Sequence, residues 1–363
     1  MKSAENTKDE VIELYPTHSG QYTFIKPIEP IEPEEEIKPK KETYSQDWNA
    51  YNNAKTNEDV LFKKLLEELL FLSIEEALPK PGRKPYSIKD RIFSMCIKVY
   101  YKSDLRKAES ILKELKNLHY INKVPCFKSI DNFFNSKELN KIIDDLILIT
   151  AIPLAQLETT GAIDSTGFSI SRFDQWFNYK WGKHTGKERV WRKAHAVIGC
   201  KTNTFLSVEV TTKNKGDISM LEKVIGNKTK HFNLENFTAD KAYSSKRVHE
   251  FLHELGLNSY IPFKKNTNGK ARGSPIWRKM FLEFKYNKEK FMKKYHARSN
   301  IECGFHMIKK RFGDHLNTKT EIANSNEIKI KFLCHNICVL IQEAFENKIN
   351  IDFEACVKKK NLV

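Results

Sequence analysis

The sequence predicts an α/β fold, a mixed sheet flanked by helices and preceded by an all-helical N-terminal domain. Three observations predict it. Apolar residues recur at three- and four-residue spacing up to about residue 150. From about residue 160 short runs rich in β-branched and aromatic residues replace that pattern. After three such runs, helical and strand patterns alternate, which calls for a sheet of mixed direction with helices on its faces.

In chain order, residues 1 to about 55 include IKPIEPIEPEEEIKPKKE, where Pro, Ile and charge alternate as in an extended, solvated arm. EDVLFKKLLEELLFLSIEEAL (58–78) reads as one amphipathic helix, ended by the turn signal PKPGRKPYS. IKDRIFSMCIKVYY (88–101) is the next helix, then SDLRKAESILKELKNL (103–118) with Ser103 as its N-cap, and SIDNFFNSKELNKIIDDLILI (129–149) closes the region. These short helices with basic residues between them suit a helix-turn-helix DNA reader, a plain bundle or an oligomerisation module.

TGAIDSTGFSI (160–170), AHAVIGC (194–200) and TFLSVEVTT (204–212) are the first three strands. ISMLEKVIG is a helix, NFTADKAY a strand, SSKRVHEFLHELG a helix capped by Ser244 or Ser245, and NSYIPF a strand. One long basic helix is expected over 283–313 and a last apolar helix over 326–346.

Charge points to the partner. The 62 Lys and Arg outnumber the 46 Asp and Glu, a net +16 that favours a polyanion because each neutralised phosphate releases counterions. No apolar run nears the roughly 18 residues of a membrane span, and the N-terminus lacks the apolar core of a secretory signal, so a soluble, intracellular chain is expected. Seven scattered cysteines suit reduced thiols. Cys334, His335 and Cys338 lie in an apolar helical run and read as core. A zinc-dependent hydrolase, which would need ligands from such scattered residues, is the weakest reading.

Three acids carry the chemistry. Asp164 sits within the first strand, Asp240 follows NFTA at the end of the fourth, 76 residues on, and Glu302 lies a further 62 residues on in the long basic helix. An acid at an apolar strand end is costly to bury unless it is paired or binds a cation. Mg²⁺ suits such a set, because it takes a few carboxylates and keeps its other positions for water and phosphate oxygens. In an unbroken helix at about 100° per residue, Tyr295, Arg298, Glu302 and Lys309 fall within an arc of about 60°. One face then holds a carboxylate, an aromatic hydroxyl and two cations able to grip phosphates.

The pattern Tyr295-x2-Arg298-x3-Glu302-x6-Lys309 resembles the signature of bacterial and archaeal insertion-sequence transposases with an RNase H-like catalytic core. IDSTGF around Asp164 and TADKAYSS around Asp240 resemble that family's two aspartate motifs, and KNKGDISMLEKVI with Asp217 resembles the segment before the first helix of the core. The resemblance covers about 160–345. It implies a DDE transposase with catalytic, metal-binding Asp164, Asp240 and Glu302. Asp164 would bridge two Mg²⁺ (or Mn²⁺) ions, and the other two carboxylates would each complete one site. It implies transposon-end DNA positioned by Tyr295, Arg298 and Lys309, and Lys310 adjoins them. The partner it implies is double-stranded DNA, from transposon ends and target, bound by a homodimer, and the place it implies is a prokaryotic cytoplasm at the nucleoid, without a membrane. The interval from Asp240 to Glu302 is that of a compact member without a large strand-rich insertion.

The loop FDQWFNYKWGKHTGKERVWRKAH interleaves Trp176, Trp181 and Trp191 with cations that include Arg192 and Lys193. These suit DNA contact, with stacking on an unpaired base as one use of the tryptophans and covering of the sheet edge as another. His195 is expected as a strand residue near the site. The organisation expected is a disordered arm at 1–55, a helical DNA-binding or dimerisation domain at 56–155, an RNase H-like catalytic domain at 156–346 and a basic tail at 347–363. A transposase-derived DNA-binding protein that no longer cuts, and a structure-selective nuclease on the same fold, stand as alternatives.

Overall fold

A computed structural model describes residues 47–75, 85–170, 191–212, 214–226, 228–265, 267 and 273–362. The arm before residue 47, Trp176 and Trp181 lie outside these residues.

The first helix, α1 (Trp48–Ser73), starts ten residues before the expected position, because Asp47 accepts hydrogen bonds from the Asn49 and Ala50 amides and caps it. Ala54, Phe62, Leu66, Leu69 and Leu70 form its buried face. Ser87 caps α2 (Ile88–Tyr100), whose second half is buried almost all round. The cap of α3 (Leu105–Asn117) is Asp104 rather than Ser103, since Asp104 accepts from the Arg106 and Lys107 amides. The run that closes the helical region falls into two helices, α4 (Phe127–Phe134) and α5 (Lys137–Ala151). At the break, the Phe134 and Ser136 carbonyls each accept a 2.8 Å hydrogen bond from the Asn326 amide group. A side chain some 190 residues away thus satisfies the interruption.

The strands are β1 (Thr160–Ile170), β2 (Trp191–Gly199), β3 (Phe205–Thr212), β4 (Asn236–Ala239), β5 (Asn258–Tyr260) and the short β6 (His315–Leu316). Their order is β3-β2-β1-β4-β5, with β6 also on β1. β1 to β3 pair antiparallel, while β4 and β6 run parallel to β1 and β5 parallel to β4. This is the mixed, RNase H-like sheet flanked by helices that the sequence predicts. Between β3 and β4 lies α6 (Asp217–Ile225), and between β4 and β5 lies α7 (Lys246–Glu254), capped by Ser245.

The expected long basic helix is not continuous. α8 (Pro275–Tyr286) ends at Asn287, α9 (Lys288–Tyr295) follows, and a 3-10 turn at His296–Arg298 leads into α10 (Ser299–Phe312). The interruption at Asn287 lets Trp277, Met280 and Phe291 fold onto Tyr260 and Phe263 as a satellite core. Gly313, at φ 85°, ends α10 in a backbone conformation that favours glycine. Helix α11 (Glu321–Glu346), capped by Thr320, is buried along most of its length and packs on α1, α2 and α5 as well as on β3. Residues expected as a basic tail include a helix, α12 (Phe353–Asn361), because Phe353 and Cys356 bury against the core. No helix among the described residues is long and apolar enough to cross a membrane. Residues 46–363 form one compact unit.

Polar side chains also join the helical region to the sheet. Asn336 of α11 accepts from the Phe205 amide at 2.8 Å and donates to the Phe205 carbonyl at 2.7 Å, and its amide group reaches the α5 carbonyl of Ile147 at 3.2 Å. Around it the rings of Phe205, Phe305 and Phe332 pack with centroids 4.7–6.4 Å apart. Helix α10 approaches this cluster through Gly304, where an added Cβ would lie 2.5 Å from Ile198 Cδ1 and 2.9 Å from Phe205 Cζ. Gly304→Ala should therefore cost about 1–3 kcal/mol of unfolding free energy through overpacking. Denaturant titration of this variant against Met307→Ala, an exposed change on the same helix, checks that expectation.

Candidate active site

Asp164 is the fifth residue of the central strand β1. The β1–β4 register pairs Ile163 with Ala239, so Asp164, within β1, stands beside Asp240, just past the end of β4. Laterally paired residues of a sheet project to the same face. On that side the 3-10 turn and the start of α10 bring in Arg298 and Glu302. One guanidinium nitrogen of Arg298 donates to Asp164 Oδ2 at 2.7 Å, and the other meets Glu302 Oε1 at 3.0 Å. Two of the three expected carboxylates are thus joined through one cation, with the third at the neighbouring strand end.

The electrostatics agree with that crowding. Burial pushes the Asp164 carboxyl above its ordinary range and the negative charge of Asp240 pushes the same way, while the Ser165 amide and Arg298 oppose them. Burial, Asp240 and Glu302 push the Tyr295 hydroxyl upward, while the neighbouring Arg298 opposes them. A cleft of about 340 Å³ opens beside these groups, lined by Asp164, Thr166, Glu302, Phe305, His306 and Lys309. The Lys309 ammonium lies 5.5 Å over the Phe168 ring, and burial lowers its pKa. Lys310 is exposed on the next position of α10.

The basic residues of β2 lie otherwise. Arg192 pairs with Glu321 at 2.9 Å and Lys193 with Asp217 at 2.6 Å, so both cations are engaged within the chain. Trp191 packs its ring against Gly167, where a Cβ would lie 2.8 Å from it, and so covers β1. His195 is wholly buried, with Nε2 2.9 Å from Thr211 Oγ1 and Nδ1 3.2 Å from Asp217 Oδ1, and burial lowers its pKa. Cys334, His335 and Cys338 are core residues of α11.

One residue escapes the sequence reasoning. Tyr243, in the 3-10 turn after Asp240, is buried, and its hydroxyl has no hydrogen-bond partner among the described residues. Burial and the charges of Asp217, Asp164 and Asp240 all push its pKa upward, so it stays a neutral donor among carboxylates. Its signal was its place three residues after Asp240, in TADKAYSS.

Among the described residues no three His, Cys, Asp or Glu side chains gather closely enough to hold a cation outright. The donors nevertheless fit a hard divalent ion. They are carboxylates, Asp164 and Asp240 repel one another, and the positive charge at their meeting point is that of Arg298.

The raised pKa of Asp164 has a consequence for stability. A carboxyl that holds its proton more tightly when folded penalises the fold increasingly as pH rises from the unfolded pKa through the folded one. Asp164→Asn should therefore be at least as stable as the wild type at pH 7, with that advantage shrinking as the pH falls through the raised folded pKa towards the ordinary carboxylate range. Denaturant unfolding of both proteins at pH 7 and at about pH 4 reads this, and a variant less stable at pH 7 than at pH 4, relative to wild type, would contradict it.

No solved structure matches the chain. The family model for the transposase DDE domain matches residues 155–337, from the segment before β1 into α11. With half of its length under that match, the chain belongs to the transposase DDE domain family.

Proposed function

We propose that this transposase binds the terminal repeats of an insertion sequence, cleaves DNA there and joins the freed 3′-hydroxyl ends to target DNA. The observation that carries the reading is the convergence of Asp164, from the central strand, and Glu302, from α10, on one arginine, with Asp240 in register at the adjacent strand end. Asp164, Asp240 and Glu302 would hold two Mg²⁺ (or Mn²⁺) ions, whose chemistry would be to activate water or a 3′-hydroxyl and to stabilise the leaving oxygen.

The remaining groups bind and orient. Arg298 holds Asp164 and Glu302 together in the free protein, and its planar fork suits a phosphate equally well once DNA competes for it. Lys309 lines the cleft beside Glu302 and neutralises the phosphate next to the scissile bond. Tyr295, three residues before Arg298, would contact the DNA beside that fork. Tyr243 stays neutral beside the carboxylates, its buried hydroxyl available to donate a hydrogen bond when the site is filled. In this reading the helices within 56–155 recognise the ends and pair two copies, because two ends must be cut and joined in concert.

The test is Mg²⁺-dependent cleavage of a duplex carrying the element's own terminal repeat. Glu302→Gln should lower the rate by at least roughly 10²–10³-fold, the scale of removing one preorganised electrostatic group, while leaving the affinity for DNA within a few-fold. End-specific binding with no cutting by the wild type would make this a DNA-binding protein that has lost catalysis. Equal cutting of branched DNA lacking the repeat would make it a structure-selective nuclease.

A further inference from the structure

Beyond the active-site cleft, a second cavity of about 480 Å³ lies between the α2–α3 junction and the segment that follows α10. Three lysines line it. Lys98 is only 5% exposed, and its ammonium lies 5.5 Å from the Phe134 ring centroid with no carboxylate or carbonyl partner among the described residues. Lys331, 2% exposed, donates to the carbonyls of Gly313 and His315 at 3.0 and 2.8 Å. Lys102 donates to the Lys310 carbonyl at 3.0 Å. Among the described residues none of the three ammonium groups forms an ion pair.

The acids at the cavity wall are committed elsewhere. Glu327 accepts from the Asn317 and Thr318 amides, Asp104 caps α3, and Asp131 pairs with Lys128 at 2.8 Å. The cations feel one another. Burial pushes Lys331 down to about 8, with Lys98 and Lys102 acting in the same direction and Glu327 and Asp314 opposing. Burying unpaired ammonium groups is costly, so a cavity that gathers them is made for an anion.

We propose that this lysine-lined cavity binds a phosphate group, namely a backbone phosphodiester of the DNA that enters the active site. The proposal rests on the DNA-cutting function above. Phe168 links the two sites, since Lys309 of the cleft and Lys331 of the cavity lie 5.5 and 5.4 Å from its ring centroid. From Glu302 to Phe312, at the cavity wall, α10 rises about 15 Å. At 3.4 Å per nucleotide of one strand, the docked phosphate lies about four nucleotides from the scissile one.

The test compares full-length wild type with Lys98→Met, Lys102→Gln and the double variant, each checked for folding by its thermal melt. Affinity for the terminal-repeat duplex is measured between 50 and 200 mM salt. Each lysine removed should flatten the slope of log affinity against log salt by about 0.9, a change that lost packing alone would not make. The exposed Lys102→Gln carries the test should Lys98→Met fail to fold. Unchanged slopes in folded variants, with wild type still binding and cutting, would overturn the cavity assignment and leave the transposase reading intact. Wild type that binds no DNA would overturn both. Stabilisation of wild type but not Lys98→Met by inorganic phosphate, with equal salt slopes, would make this a free-phosphate site and overturn the DNA assignment.

Discussion

The arrangement depends on keeping an ionisable carboxyl, Asp164, in the middle of a sheet. β1 is hydrogen-bonded to β2 on one edge and to β4 and β6 on the other, so the side chain sits where solvent is scarce. Leaving a charge there uncompensated is costly, and Arg298 is the compensation at hand. The compensating cation comes from the 3-10 turn before α10, from which Arg298 reaches both Asp164 and Glu302.

Holding α10 at the right depth is the second half of the same problem. Gly304 lets the helix lie against Ile198 and Phe205, and Phe205 is itself gripped by Asn336 through both its amide and its carbonyl. Asn336 belongs to α11, which also carries Lys329, hydrogen-bonded to Asn140 and Asp144 of α5 at 2.7 and 2.6 Å. At the other end of α10, Arg311 pairs with Glu58 of α1. Buried polar groups of this kind are tolerable only when satisfied, so each one fixes a register rather than merely adding contact. The N-terminal helices thus restrain α10 at its last turn and, through α11, at its seat on the sheet.

The sequence carries the strands and the two aspartates well, because β-branched runs such as TGAIDSTGFSI state both the period and the intrusion of the acid. It carries less where the cause is distant. The break between α4 and α5 is satisfied by Asn326, and the break at Asn287 follows from Trp277, Met280 and Phe291 finding Tyr260 and Phe263; no local pattern announces either. β6, at two residues, is too short to show a period. Among the site residues, the helical spacing of Arg298 and Glu302 was visible, but the reach of Arg298 across to Asp164 is a tertiary fact. Arg192 and Lys193 show the converse. Their neighbourhood reads as a DNA-facing loop, yet Glu321 and Asp217 engage them from elements far along the chain.

Net charge alone would have treated all 62 Lys and Arg as equivalent. Several are engaged internally, and pairs such as Lys63 with Asp59 or Lys358 with Glu354 are local helix contacts of little energetic weight. What distinguishes Lys309 from these, and Lys98, Lys102 and Lys331 likewise, is that each is held by rings or carbonyls rather than by a carboxylate. A cation so held keeps its charge available and its position fixed, which an exposed ion pair does not. Because α10 carries Glu302 and reaches the edge of the lysine cavity, and Phe168 lies near both Lys309 and Lys331, the helix that follows the Arg298 turn also sets the distance between the carboxylates and that cluster. The spacing of these charges is then a property of one helix and one ring, and a change in the seat of α10 would move both clusters together.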